Sequence, residues 1–126
     1  MDPIAVTIGI SWTVAGLLCL GLAIPLIRGL VRPNRLYGVR FPQSFQSDEA
    51  WFAINRFGGK RLAIWSIPLV VIGLVTFFLP LQKHPRLTWV LGFVPLVFVL
   101  IPILQTWRFA RRYRPTGQPP ASAATE

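Results

Sequence analysis

The chain has 126 residues, 13% of them charged, and a mean hydropathy of +0.55. That is room for one compact unit, far more apolar than a soluble domain, in which about a quarter of residues are charged. Thirteen lysines and arginines against four acids give a net charge of +9, which suits nucleic acid or an anionic membrane surface. A single cysteine, Cys19, excludes an intrachain disulfide, and a single histidine, His84, excludes a histidine-based metal site. No metal or cofactor is expected.

Pro3 to Ile27 carries no charge. As a helix this run would reach roughly 37 Å, more than the ~30 Å hydrocarbon core of a bilayer. A first span is predicted over about 3–31, with Pro33 stopping the helix or forcing a turn. A cleaved signal peptide would begin with basic residues and end at a small-residue site. Here the chain begins Met1-Asp2-Pro3 and the run ends in Arg28 and Arg32, so the segment is read as retained. Within it Thr7, Ser11, Ala15, Cys19 and Ala23 recur every four residues. Such small side chains let helix backbones approach closely in lipid. The stripe is expected to pack on the protein's own later helices, with a homo-oligomer face as the alternative.

Residues 32–61 are polar and aromatic. Asn34 and Gly38 supply turn chemistry, and Phe41-Pro42 reads as extended backbone. Ser47 is placed to cap a helix whose first turn holds Asp48 and Glu49, acids suited to the positive end of the helix dipole. Trp51, Ile54 and Phe57 follow at spacings of three, with Phe52 widening the apolar face. A short amphipathic interfacial helix is predicted, ended by Gly58-Gly59. Arg35 and Arg40 are candidates to pair with Asp48 or Glu49, and Asn34 and Asn55 to bond loop backbone.

Two more uncharged runs predict spans over about 62–81 and 87–107. Prolines 25, 68, 80, 95 and 102 lie in or near the spans, where neighbours can satisfy freed carbonyls. No span has an ionisable residue at its middle, which counts against a proton relay. The tail, residues 115–126, has nothing to bury and is expected to be disordered. The fold class is therefore all-α: an integral membrane protein with three transmembrane helices plus the interfacial helix, residues 1–114 forming one membrane domain.

Eleven of the thirteen cations lie in the first loop and the C-terminal tail; only Lys83 and Arg86 lie in the second loop. By the positive-inside rule the N-terminus is outside, and the first loop and C-terminus are cytoplasmic. Anionic lipid headgroups then account for the charge, without direct binding of nucleic acid.

The pattern Asn34, Tyr37-Gly38, Arg40, Pro42, Ser44, Ser47, Trp51, Asn55 and Gly58-Gly59 resembles the SdpI family of bacterial membrane proteins. That pattern reads N-x-x-x-G-x-R-x-P, hydroxyl residues, then W-x-x-x-N-x-x-G. Phe41 departs from it where threonine is usual, and Gln43 departs in a region where an aromatic followed by threonine is common. The resemblance covers about thirty residues and the three-helix layout, equivalent to the C-terminal unit of the larger member that names the family. It implies a bacterial inner-membrane protein giving immunity to a secreted peptide toxin and signalling by membrane capture of a cytoplasmic repressor. It would place the partner contact in the loop, with Arg40, Trp51 and Asn55 the residues to test. The alternative is a small structural or assembly subunit of a membrane complex or transporter. An enzyme is not expected. Asp48 and Glu49 are adjacent, about 100° apart on a helix, and no nucleophile–base pair is present.

Overall fold

The computed structural model describes residues 1–114; the predicted disordered tail, 115–126, lies outside them. Three helices, α1 (Pro3–Ile27), α2 (Asp48–Thr76) and α3 (Pro85–Arg112), alternate with two short 3₁₀ turns, Pro42–Phe45 and Leu81–Lys83. All three helices are long and apolar enough to cross a membrane, and no strand forms among the described residues. α2 packs on both α1 and α3, which scarcely touch each other.

Asp2 caps α1, its carboxylate accepting from the N–H groups of Ile4 at 2.9 Å and Ala5 at 3.2 Å. The same carboxylate accepts from the Gln82 N–H at 2.6 Å, tying the start of α1 to the second turn. Desolvation acts to raise its pKa, but backbone donors outweigh this and hold it below the ordinary value.

α1 ends four residues earlier than the sequence suggests. Gly29 takes a left-handed backbone, φ +68°. The Leu30 N–H then donates to the Pro25 carbonyl at 3.0 Å and the Gly29 N–H to that of Leu26 at 3.3 Å. This is a Schellman cap, and it stops the helix before Pro33 can.

α2 is a single helix where an interfacial helix and a separate span were expected. Ser47 caps it, accepting from the Ala50 N–H at 3.0 Å, and the helix runs unbroken through Gly58-Gly59. These glycines are contact points. A Cβ on Gly59 would lie 3.0 Å from the Ala23 carbonyl of α1, and one on Gly58 would lie 2.8 Å from a Val39 methyl and 3.0 Å from that of Thr106 on α3. Close packing on two sides offsets the ~1 kcal/mol that each glycine costs a helix relative to alanine. The 29 residues of α2 reach about 43 Å, roughly two turns more than a hydrocarbon core of ~30 Å requires.

The α1–α2 seam is built from small residues stepped by seven. Gly9 meets Gly73, Gly16 meets Ser66 and Val70, and Ala23 meets Gly59. A Cβ on Gly9 would lie 2.9 Å from the Gly73 carbonyl, and one on Gly16 would lie 3.2 Å from that of Ser66. The four-residue stripe expected to make this contact does not. Ser11 is exposed, Ala15 and Cys19 are half-buried, and of that set only Ala23 is in the seam. Steps of four residues drift about 40° around a helix, whereas steps of seven drift about 20° and stay on one face.

Trp12 provides a contact between α1 and α3. Pro95 has no N–H to offer the Leu91 carbonyl, and the Trp12 indole donates to that carbonyl at 3.1 Å.

Candidate functional site

The loop from Arg28 to Ser47 folds onto the ends of α1 and α2. Its first turn is made by Asn34, whose side-chain oxygen accepts from the N–H groups of Leu36 at 2.9 Å and Tyr37 at 2.7 Å. The Asn34 amide donates back to the Arg32 carbonyl at 2.8 Å. Gly38 follows at φ +116°, a backbone that L side chains rarely adopt. It also lies where no side chain fits: a Cβ would be 2.7 Å from the Asn55 amide oxygen and 3.2 Å from the Trp51 ring.

Gly38, Trp51 and Asn55, distant in sequence, therefore converge. Asn55, 2% exposed, pairs with Val39 much as a neighbouring strand would. Its oxygen accepts the Val39 N–H at 2.6 Å, and its nitrogen donates to the carbonyls of Trp51 at 2.9 Å and Val39 at 3.4 Å. Trp51 is fully buried; its indole donates to the Val31 carbonyl at 2.8 Å and its ring meets Phe45.

The carbonyls at the end of α1 have no helical partner of their own. The Arg56 guanidinium donates to that of Ile27 at 3.2 Å, placing a cation at the negative end of the helix dipole. The Tyr37 hydroxyl donates to the Leu22 carbonyl one turn further in, and burial pushes its pKa up. On the other side, Ala50, Ile54 and Ala110 form a buried cluster overlaid by Val39, Phe41, Phe109 and Tyr113. The Tyr113 hydroxyl donates to the Glu49 carboxylate at 2.9 Å. Burial first, and Glu49 second, raise its pKa and keep it a donor.

The remaining sequence-derived positions are spread around this centre. Pro42 opens the first 3₁₀ turn, Ser47 caps α2, and Gly58 and Gly59 face opposite neighbours. Ser44 is fully buried with no partner for its hydroxyl. Arg40 is exposed and donates to the Arg35 carbonyl. Arg56, Gly29 and the seam glycines were missed. Gly29, one residue past the end of an apolar run, was a readable cap signal.

The polar groups of the loop are thus largely spent on backbone. Outward it shows the cations Arg32, Arg35 and Arg40 and the apolar side chains of Leu36, 92% exposed, and Phe45. Among the described residues no three His, Cys, Asp or Glu gather as metal ligands.

A membrane protein of three helices with its first loop folded against the bundle is the class these features define. The chain belongs to the SdpI/YfhL protein family, whose model matches residues 30–106, more than half the chain, from the loop into the C-terminal part of α3. No curated protein and no solved structure matches it.

Proposed function

We propose that the protein resides in the bacterial inner membrane and confers immunity to a secreted peptide toxin, its folded loop serving as the docking surface for a cytoplasmic repressor. Residues 1–114 act as one membrane unit, N-terminus outside and loop and C-terminus inside. The grouping of eleven of thirteen cations at the loop end supports this orientation.

The observation that carries the reading is the division of labour within the family residues. Trp51, Asn55 and Gly38 hold the loop in one shape, while Arg40 is left at its surface. Binding needs both parts, a fixed scaffold and an accessible contact. A toxin engaging the spans would act by favouring one of two loop arrangements, which requires different affinity for each.

The test is survival of a toxin-sensitive bacterium expressing wild type or Arg40→Ala at matched membrane levels. Protection by wild type and loss with Arg40→Ala is the expected result. Equal protection would move immunity out of the loop, and protection by neither would refute it for the toxins used.

A further inference from the structure

A groove of about 420 Å³ lies between α1 and α3, on the flank of α2. Leu26, Leu62, Val99, Pro102 and Ile103 form its walls, and the loop from Gly38 to Phe41 closes its end. Two polar groups along it are already engaged. The Thr106 hydroxyl donates to the Pro102 carbonyl at 2.7 Å, and the Val39 N–H donates to Asn55. Whatever enters must therefore be hydrocarbon along its length. At the loop end the exposed Arg40 is a cation at the mouth.

We infer that this groove is a binding site for an anionic phospholipid, with acyl chain along Val99–Thr106 and headgroup phosphate at Arg40. Charge complementarity selects the headgroup, since a guanidinium matches phosphate geometry. The inference rests on the membrane-spanning fold and not on toxin immunity. Lipid would fill the side of the bundle along which α1 and α3 scarcely touch, and it would couple the loop to the leaflet it faces.

The experiment uses the full-length protein, stripped of lipid in a neutral detergent and titrated with phosphatidylglycerol, phosphatidylcholine or inorganic phosphate. Bound molecules are counted by native mass spectrometry. Wild type is expected to retain a single phosphatidylglycerol per chain, about fivefold more readily than phosphatidylcholine, the preference one arginine near an anionic surface gives. Inorganic phosphate should not displace it. Arg40→Gln should bring phosphatidylglycerol down to the phosphatidylcholine level. Ile103→Trp, filling the groove from a half-exposed position, should lose both lipids while helical content is unchanged; Val99→Phe is the second filling variant should that protein misfold. Equal retention of the two lipids by wild type would overturn the proposal. So would displacement by phosphate, undiminished lipid on both filling variants, or a dimer whose formation excludes lipid. None of these readouts involves a toxin, so failure here leaves the immunity reading standing, and the reverse.

Discussion

At the loop end α1 meets α2 through long side chains. Trp51 and Arg56 reach from α2 to carbonyls at and beyond the end of α1, and Asn55 grips the loop between them. Deeper in, the same two helices meet through the near-absence of side chains, with Gly9, Gly16 and Ala23 against Gly73, Ser66 and Gly59. The difference follows the solvent. In hydrocarbon an apolar side chain gains nothing by leaving lipid, so attraction comes from backbones brought close. Where α1 stops, the pressing need is donors for its orphan carbonyls.

The seam offers the harshest way to break this comparison. A Cβ on Gly73 would lie 2.5 Å from the Thr13 backbone nitrogen, a clash no rotamer relieves. Gly73→Leu should cost about 3 kcal/mol or more, seen as a large fall in the unfolding midpoint in detergent. A variant melting like wild type would show that the seam is not what holds α1 to α2.

Asn55→Leu sharpens the contrast at the other end. It keeps a side chain of similar size but leaves the half-buried Val39 N–H without its acceptor, a loss of about 2 kcal/mol. Amide exchange should accelerate at Val39 and remain slow at Gly16. Equal acceleration at both would mean that loop and seam open as one unit.

Ser44→Ala should have the smallest effect. Its buried hydroxyl has no partner, so its removal is expected to be neutral or to stabilise by up to about 1 kcal/mol. A clearly lower unfolding midpoint would mean that the hydroxyl contributes a bond of its own to the scaffold.

The spans were legible because uncharged runs of that length have few other uses. The Ser47 cap and the turn at Asn34 were legible because each residue type does its work locally. The partners were not. Trp51 and Arg56 bond to the carbonyls of Val31 and Ile27, and a backbone acceptor leaves no mark on residue identity. Gly58-Gly59 misled for a related reason. Local propensity reads a glycine pair as a stop, and only Ala23, Val39 and Thr106, placed by the fold, show it to be a contact. The stripe beginning at Thr7 failed on geometry, since its period was that of one turn rounded up.

The seven-residue step of the seam also works as a coarse-toothed rack. Sliding α1 along α2 would unseat all three small-residue pairings together, and the next matching notch is about 10 Å away. A piston stroke of a few ångström has nowhere to rest. A signal of the kind proposed, passing from the spans to the loop, would have to travel as a rocking of the helices about their glycine contacts. Gly29 and Gly38, at either side of the Asn34 turn, are the joints at which that rocking would be felt.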